Sequence, residues 1–502
     1  MLISNAALHG WTVESWDVST AFLRGLTFAE IDKIARELNV PSPLSTRTVY
    51  VQVPGNVWRH LKDLGAITQE QYNHALKGGL CLKLRKAMYG LCDAPALWQL
   101  ALQHYVTKTM LGRPCLHDSC HFYFRKQGQL SGEATAHVDD TCFSGNQSDL
   151  DARRQMIEKR FGSVSRQVLP FQHVGITYER AQTGGFRLHQ EAYCLALRTA
   201  EIPRGIPSER TLTPPEVTQL RAILGALLYL VYTRPDIAAD VVLLASRVTV
   251  ATVADLRQAN AVVRKAQANA RRGLVFERLT PPLTILSISD ASFSTSNTSY
   301  AIEGMCVFLC ESRFTHAGPR KLTTQASVLN GPCHLLIAGS HKAKRVSHST
   351  SHAESLACYS SLQHAEIVAS RLTEAWWPWD TLPTVEQMIM IEDRGTFTVP
   401  VIALTDCNDL LELISGARGV PQDKSQRLII LSLRERRVLR KTVGHGHIDT
   451  RDMIANALTK RVQDCAQLGE VLTTGHLRFN FTLNYIGAPL HVEPYDENTL
   501  MR

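Results

Sequence analysis

The chain has 502 residues, of which 44% are hydrophobic and 20% are charged, a balance typical of soluble globular proteins. This composition excludes wholesale disorder, collagen-like structure and a small disulfide scaffold, and the length predicts about three domains. Lys and Arg number 54 against 46 Asp and Glu, for a formal net charge of +8. Such a mild basic excess is compatible with a polyanionic partner but does not require one.

The longest apolar run, residues 222–232, is shorter than the roughly 20 residues that a bilayer span needs. We therefore expect a buried helix there and no membrane association. Residues 1–10 lack the basic start and apolar core of a secretory signal. The 12 cysteines include no C-x-x-C pair, which favours reduced thiols and a cytoplasmic or nuclear location.

The first section of the chain alternates short β-rich and helical stretches. Its main predicted strands are residues 12–17, 134–138 and 141–143, with a helix beginning near 19–23. Asp17 ends the first strand, and Asp139 and Asp140 join the other two as the tip of a hairpin. If these strands are neighbours in one sheet, three carboxylates converge at one edge, where divalent cations would relieve their repulsion. An Asp-Asp pair alone is also common in ordinary turns.

Helical periodicity dominates residues 213–272. The apolar residues of the first helix fall on one face, and a second, Ala-rich helix is predicted at 254–270. The predicted face comprises Val217, Leu220, Ile223, Leu224, Leu227 and Leu228.

Strands and helices alternate again from residue 283, which predicts an α/β layered domain. We expect strands at 283–289, 305–310 and 399–404 and helices at 351–377 and 408–414. Asp290 and Asp406 follow two of these strands, and Glu354 lies in the first turn of the long helix. They form a plausible metal cluster at one sheet edge, although acids at strand ends and in first helical turns are also ordinary.

Three motifs occur in order in the first section. They are D-V-S-T-A-F-L at 17–23, L-R-K-A-M-Y-G-L-C-D-A-P-A-L-W at 84–98 and H-V-D-D at 137–140. They resemble the reverse transcriptase of copia-type LTR retrotransposons, which carries D-V-x-x-A-F-L, L-x-K-A-L-Y-G-L-x-x-A-P-x-x-W and Y-V-D-D. The resemblance implies a palm fold in which Asp17, Asp139 and Asp140 bind the catalytic metal ions. It also implies that Lys86 and Gly90 lie near the template and the incoming nucleotide.

Later segments resemble the same family. T-R-P-D-I-A at 233–238 is similar to its T-R-P-D-I region, and four further segments are similar to its RNase H domain: S-I-S-D-A-S at 287–292, S-T-S-H-A-E-S-L-A at 349–357, T-D-C-N at 405–408 and A-N-A-L-T-K at 455–460. This implies that Asp290, Glu354 and Asp406 are catalytic and bind metal. The basic residues Lys344 and Arg345, just before the Glu354 helix, are either a solvated loop or contacts to hybrid phosphates.

The resemblance implies an α+β reverse transcriptase-like palm, then a helical connection and an α/β RNase H-like domain. The expected boundaries are 1–205 for the palm, 206–282 for the thumb or connection, 283–465 for the RNase H-like domain and 466–502 for a C-terminal tail. The implied activities are RNA-directed DNA synthesis and cleavage of RNA–DNA hybrids with Mg²⁺, or Mn²⁺. The implied partners are an RNA template, a DNA primer and dNTPs.

Departures from the family pattern support an alternative function. We expect the chain to be the C-terminal part of a Pol polyprotein that lacks the fingers segment before Asp17. Cys92, Asp93 and Ala96 replace residues that favour phosphate and template contacts. Asn456 stands where the family has a fourth acid, which weakens binding of a second cation, unless Asp452 compensates. The alternatives are therefore an enzyme and a retroelement relic that folds, retains at most nucleic-acid binding, and catalyses nothing.

Overall fold

The computed structural model describes residues 1–42, 48–293, 300–311, 322–325, 329–378, 382–461 and 466–487. These residues divide into two compact units. The small unit comprises Glu14–Arg125 and Ser131–Gln167, and the large unit comprises Met1–Val13, Lys126–Leu130 and the described part of Val168–Arg502. None of the described helices is both long and apolar enough to cross a bilayer.

Strands occur throughout both units. In chain order they are β1 (Thr12–Val18), β2 (Tyr50–Val51), β3 (Leu82–Lys83), β4 (Arg113–Cys115), β5 (Asp118–Lys126), β6 (Gln129–His137), β7 (Asp140–Gly145), β8 (Val164–Val168), β9 (Phe171–His173), β10 (Ile176–Arg180), β11 (Phe186–His189), β12 (Leu274–Phe276), β13 (Leu283–Ser292), β14 (Ile302–Glu311), β15 (Leu322–Gln325), β16 (Gly331–Lys342), β17 (Val401–Thr405), β18 (Gly444–His447), β19 (His476–Leu477) and β20 (Thr482–Gly487).

The α-helices alternate with these strands. They are α1 (Leu2–His9), α2 (Ala21–Arg24), α3 (Ile31–Leu38), α4 (Gly55–Asp63), α5 (Gln69–Leu76), α6 (Ala94–Lys108), α7 (Gln147–Phe161), α8 (Glu191–Ala196), α9 (Pro214–Leu230), α10 (Ala238–Ala245), α11 (Val253–Ala268), α12 (Thr350–Ala375), α13 (Val385–Arg394), α14 (Asn408–Ser415), α15 (Lys424–Val438) and α16 (Ala466–Thr474). Short 3₁₀ turns span Pro235–Ile237, Val248–Val250, Thr450–Asp452 and Ile454–Leu458.

A six-stranded sheet in the order β4-β5-β6-β7-β1-β8 forms the centre of the small unit. Its strands carry buried aromatic residues, which favour a pleated, half-buried surface. The rings of Trp16 and Phe143, on the neighbouring strands β1 and β7, stack with centroids 4.0 Å apart. Trp98 of α6 meets Phe161 of α7 edge to face at 5.0 Å. The predicted strand at 12–17 and the hairpin of β6 and β7 are therefore confirmed.

A buried carboxylate fixes β1 within this sheet. Glu14 is fully buried and accepts two hydrogen bonds from Arg166 of β8, at 2.9 and 2.5 Å. Trp16 Nε1 donates a third at 2.8 Å. Burial alone would raise the pKa of Glu14, but these bonds and the Arg166 charge outweigh it and lower the pKa. The strand that carries Asp17 is thus held by a paired internal charge.

An eight-stranded sheet in the order β15-β20-β18-β17-β13-β14-β16-β19 forms the centre of the large unit. β13 pairs antiparallel with β14 and parallel with β17, which pairs parallel with β18. All ten residues of β13 are buried, as expected for a central strand covered on both faces. Ile285 packs in one apolar cluster with Leu362 of α12, whereas its neighbour Leu286 packs in another with Leu458.

The strand pairing departs from the predicted domain boundaries in two places. β9, β10 and β11, expected in the palm, join β12 in a separate four-stranded sheet of the large unit. Beyond residue 465, where a tail was expected, α16 and β19 follow, and β20 pairs with β18. Both differences come from hydrogen bonds between segments far apart in sequence, which local periodicity does not reveal. Residues 462–465 and 488–502 lie outside the described residues.

Helices α9, α10 and α11 pack around a shared apolar core. α9 begins at a capping box in which the side chains of Thr213 and Glu216 each accept a hydrogen bond from the other residue's backbone amide. Pro214 occupies the first helical position. The predicted apolar face is confirmed for Leu220, Ile223, Leu224 and Leu227, which are buried, whereas Leu228 is 50% exposed. The apolar face of α9 is therefore wider than the surface that the core covers, and Leu228 lies at its exposed edge.

The T-R-P-D segment, which follows α9, contains a buried ion pair between Arg234 and Asp236. The Arg234 guanidinium donates through Nε and Nη2 to both carboxylate oxygens of Asp236, each at 2.8 Å. Its Nη1 donates to the carbonyls of Ala266 and Asn269 at the end of α11, where a cation is favoured. Burial opposes ionisation of Asp236, but Arg234 and Arg272 lower its pKa overall. The pair therefore joins two helical segments through a satisfied charge.

We predict that Asp236→Ala destabilises the large unit by about 3–5 kcal/mol, because it leaves the buried Arg234 charge uncompensated. The loss is measured as the change in the free energy of unfolding in urea, with hydrogen exchange of α9–α11 as the probe. The matched control is Asp409→Ala, which breaks an ion pair of Arg418 and Asp409 whose side chains are both 58% exposed and should cost less than about 1 kcal/mol. Equal losses for the two variants would contradict a structural role for the buried pair.

Candidate metal centres

Two parallel strands bring two of the predicted acids to one sheet edge. In the pairing of β13 with β17, Ile288 lies opposite Leu404, and Asp290 and Asp406 each follow two residues later. Parallel neighbours end at the same edge, so the two carboxylates project from adjacent positions. β13 continues to Ser292 rather than ending at Asp290 as expected, because Asp290 still pairs with Gly304 of β14.

Helix α12 supplies the third acid. The Ser349 hydroxyl caps its N-terminus by accepting a hydrogen bond from the His352 amide at 3.1 Å. Glu354 is the fifth helical residue, one position further from the helix start than predicted, because α12 begins at Thr350. The amide of Ala291 in β13 donates to Glu354 Oε1 at 3.2 Å, which ties the helix to the strand beside Asp290.

Asp290, Glu354 and Asp406 form one cluster, with a ligand oxygen of each within 4.8 Å of the others. Asp290 and Glu354 are buried and Asp406 is partly exposed. Burial, followed by the charges of Asp290 and Asp406, raises the pKa of Glu354 to about 9. Burial also raises the pKa of Asp290. Three carboxylates this close favour either protonation or a bound cation.

The A-N-A-L-T-K segment reaches the same cluster from the opposite side. The Thr459 hydroxyl donates a short hydrogen bond to Asp290, and Lys460 Nζ lies 3.7 Å from Asp290 Oδ2. Gly304 permits this approach, since a Cβ there would lie 2.7 Å from Thr459 Cγ2 and 3.0 Å from the Ala455 carbonyl oxygen. Thr459 and Lys460 belong to the motif at 455–460, but the sequence alone indicated no role for either.

Asn456 lies beside the cluster, and its amide is already engaged. Its Oδ1 accepts from Lys460 Nζ at 2.5 Å, and its Nδ2 donates to the Thr450 carbonyl at 3.4 Å. Asp452 does not compensate for it as suggested from sequence. Asp452 is buried and accepts from the backbone amides of Asn480 and Phe481 at 2.8 and 2.9 Å. Its carboxylate therefore anchors the chain before β20.

The sheet of the small unit brings Asp17, Asp139 and Asp140 into mutual electrostatic contact. β1 and β7 are neighbours, and the Thr141 hydroxyl donates to the Trp16 carbonyl at 2.6 Å. Burial and then the charges of Asp139 and Asp140 raise the pKa of Asp17. Their oxygens do not approach as closely as those of the first cluster, which is the one group of three acid, His or Cys side chains within 4.8 Å among the described residues.

The hairpin tip consists of Val138 and Asp139, since Asp140 already belongs to β7 and pairs with His137. Val138 has φ +59°, a left-handed conformation that is costly for a β-branched residue. Strain of this kind persists where the surrounding structure enforces it and is frequent at functional sites. The tip therefore presents Asp139 in a fixed, energetically costly turn.

Tyr89 is a residue of this site that sequence reasoning did not single out. Burial and the charges of Asp139 and Asp17 raise its pKa, so its hydroxyl lies within electrostatic range of both acids. Its ring contacts that of Phe22 at 4.7 Å. Both residues belong to the family-like motifs, but their contact depends on the packing of two segments far apart in sequence. We call this pair of rings, Phe22 and Tyr89, the aromatic wall.

Lys86 and Gly90, the nucleic-acid contacts expected in the small unit, lie with Tyr89 in the segment between β3 and α6. Lys86 forms an isolated β-bridge with Thr27. Hydrogen bonds from Thr27 are the main cause of the lowered pKa of Glu30, and the Lys86 charge adds to that lowering. Gly90 is exposed with φ +93°, and no atom lies within 4 Å of a Cβ built there. The backbone at Gly90 is thus open to a ligand.

Lys344 and Arg345 are exposed in the loop between β16 and α12. They line a cavity of 1040 Å³ together with Tyr359, Asp423 and Lys424. Asp290, Glu354 and Asp406 do not line it. The two basic residues therefore belong to a cavity distinct from the acid cluster.

Comparison with known proteins finds similarity to retrovirus-related Pol polyproteins. It is 26% identical over 326 residues to the Pol polyprotein from transposon RE1 and 25% identical over 329 residues to that from RE2, both of Arabidopsis thaliana. Each alignment covers 62% of this chain and 20% of the relative, so the chain spans about a fifth of their length. The predicted similarity to copia-type retrotransposon Pol polyproteins is confirmed.

Family models and solved structures add two findings. No protein-family model matches the chain. Among solved structures, a foamy viral protease-reverse transcriptase in complex with an RNA/DNA hybrid is similar with a TM-score of 0.39 and 13% identity. That similarity covers 84% of this chain and 42% of the viral chain.

We predict that Glu354→Gln removes a pH-dependent loss of stability. Because the folded-state pKa lies above the ordinary value of 4.5, stability falls as pH rises from about 4.5 to 9, by on the order of 1 kcal/mol per pH unit. The melting temperature of the variant minus that of the wild type should therefore increase with pH when both are measured in EDTA. A difference that stays constant between pH 5 and 9 would show that Glu354 ionises normally.

Proposed function

We propose that the chain is a retrotransposon RNA-directed DNA polymerase with an RNase H-like domain. In this proposal the small unit is the palm, α9–α11 are the helical connection, and the eight-stranded sheet is the RNase H-like domain. The observation that carries it is the convergence of Asp290, Glu354 and Asp406 within 4.8 Å, just beyond the point where the parallel pairing of β13 with β17 ends. The similarity to retrovirus-related Pol polyproteins supports the same function.

The donor set of the acid cluster fits a hard divalent cation such as Mg²⁺ or Mn²⁺. All three ligands are carboxylates, which these ions prefer, and the buried Glu354 Oε2 has no hydrogen-bond partner among the described residues. When bound, such a cation would polarise a phosphodiester and lower the pKa of an attacking water. Asp290 and Asp406 would hold it as carboxylates, and Glu354 would give up its proton to join them. Lys460 offsets part of the negative charge next to Asp290.

In the small unit, Asp17, Asp139 and Asp140 would hold the cations that serve nucleotide addition. Their partial exposure leaves them reachable by a primer terminus and a dNTP paired to an RNA template. The aromatic wall of Phe22 and Tyr89 would limit the space beside the incoming sugar and base. Placement and charge are the main contributions that a protein makes to phosphoryl transfer.

A second candidate, a folded relic without catalytic activity, is favoured by two observations. Asn456 carries no charge and already accepts from Lys460, so a second cation beside Asp290 would lack a carboxylate ligand. The oxygens of Asp17, Asp139 and Asp140 are also more widely spaced than those of the first cluster. In this candidate the acids remain as structural inheritance, and nucleic-acid binding outlasts catalysis.

We predict template-dependent primer extension by the full chain with Mg²⁺ and dNTPs on an RNA template. Asp139→Asn should reduce it by at least about 10²-fold, because it removes charge from the nucleotidyl-transfer site. A matched control is Asp118→Asn, which changes an acid of the same sheet at the other hairpin, β4–β5. Extension that survives Asp139→Asn, or no extension by the wild type, would contradict the polymerase proposal and favour the relic.

We predict that Asn456→Asp strengthens Mn²⁺ binding to the acid cluster by roughly ten-fold, since it adds a carboxylate ligand. Lys460→Met should act in the same direction by removing a competing positive charge. Electron paramagnetic resonance of bound Mn²⁺ measures the affinity, and cleavage of the RNA strand of an RNA–DNA hybrid is measured in parallel. Asp406→Asn is the control that should abolish binding. Unchanged Mn²⁺ affinity in both variants would refute the roles given to Asn456 and Lys460.

A further inference from the structure

The four-stranded sheet of the large unit has one face lined with charged residues. Side chains alternate across a strand, so that every second residue shares a face. In the observed register Glu179 lies opposite Arg187, and Arg187 lies opposite Val275. His189 shares this face two residues further along β11. These residues form the floor of a cavity of 490 Å³, which we call the arginine pocket.

Arginines from four separate segments surround this floor. Arg180 and Arg187 come from β10 and β11, Arg271 follows α11, and Arg478 follows β19. Three glutamates, Glu179, Glu191 and Glu277, also line the pocket, so its formal net charge is +1 with neutral histidines. No residue of either acid set contributes to it. Tertiary structure has therefore concentrated guanidinium groups at a place that the sequence does not mark.

Two of the arginines retain free donors. Arg271 donates to Glu191 through Nε, at 3.2 Å to the nearer oxygen, and Arg478 Nε lies 2.9 Å from Glu470 Oε1. Within the described part of the chain, no hydrogen bond engages the Nη groups of either side chain. Their side chains are 84% and 63% exposed. Each thus presents a planar pair of N–H donors, the geometry that binds phosphate oxygens bidentately.

We propose that the arginine pocket binds phosphodiester groups of a nucleic-acid strand. The charge balance favours this ligand over a nucleoside triphosphate, because a phosphodiester carries a single negative charge and the pocket also contains three carboxylates. The C-terminal end of α16 borders the pocket at Thr473 and Thr474, and its partial negative charge further disfavours a polyanionic head group. Contacts of this kind position a strand without reading its sequence.

The arginine pocket extends the proposed function, whose substrates are nucleic acids, but its ligand is tested without catalysis. Binding of a short fluorescein-labelled single-stranded oligonucleotide to the full chain is followed by fluorescence anisotropy in EDTA at several salt concentrations. Failure of primer extension or hybrid cleavage leaves this measurement unaffected, so the two proposals fail separately.

The double variant Arg271→Gln and Arg478→Gln should weaken binding roughly ten-fold and reduce the salt slope by about 0.7 for each phosphate that is no longer neutralised. Arg418→Gln, which changes a similarly exposed and paired arginine outside the pocket, should change neither quantity. Hydrogen exchange of β10 and β11 should be the same in wild type and variants, which shows that the sheet is intact. Wild-type affinity and slope in the double variant would overturn the proposal, as would absence of binding by the wild type.

A free anion is the other source of the same chemistry. Isothermal titration calorimetry with inorganic phosphate, at matched ionic strength, distinguishes it from a strand. Weak phosphate binding that the double variant loses together with oligonucleotide binding supports the proposal. Loss of phosphate binding while oligonucleotide binding persists would assign the pocket to a small anion and overturn the strand assignment.

Discussion

Mutual repulsion of three closely spaced carboxylates is the constraint around which the large unit is organised. Asp290, Glu354 and Asp406 cannot all be charged at close range without a proton or a cation between them. The surrounding structure nevertheless holds them together through a central strand buried over its whole length and a helix bonded to that strand by a backbone amide. The cluster thereby lowers local stability and concentrates negative charge at one place.

The two acid sets meet this constraint in different ways. In the large unit, the Thr459 hydroxyl donates a hydrogen bond to Asp290 and the Lys460 charge offsets part of its negative charge. In the small unit, repulsion at Asp17 is reduced instead by exposure to water and by wider spacing of the acids. The first arrangement is compact and mostly buried, whereas the second is more open to solvent. The contrast agrees with the different functions that we propose for the two sites.

Local patterns predicted the central elements well. Alternating and apolar runs identified β1, the β6–β7 hairpin and β13, because these strands are surrounded by core on at least one face. The pattern overestimated the buried face of α9 at Leu228, since hydrophobicity alone does not say how much surface a neighbour covers. It missed the short strand β12 and the C-terminal strands β19 and β20, whose partners lie far away in sequence.

The acid cluster at 290, 354 and 406 was predicted from motifs, and its convergence follows from parallel pairing of β13 with β17. The role of Asp452 was misjudged, because its proximity to Asn456 in sequence says nothing about the amides of residues 480 and 481 that it binds.

The order of segments along the chain also affects how the large unit folds. Helix α1 is buried in the large unit, with Ser4 bonded to His334 and Asn5 to Trp376. This helix is made more than three hundred residues before its partners, so the large unit must close a very long loop when it folds.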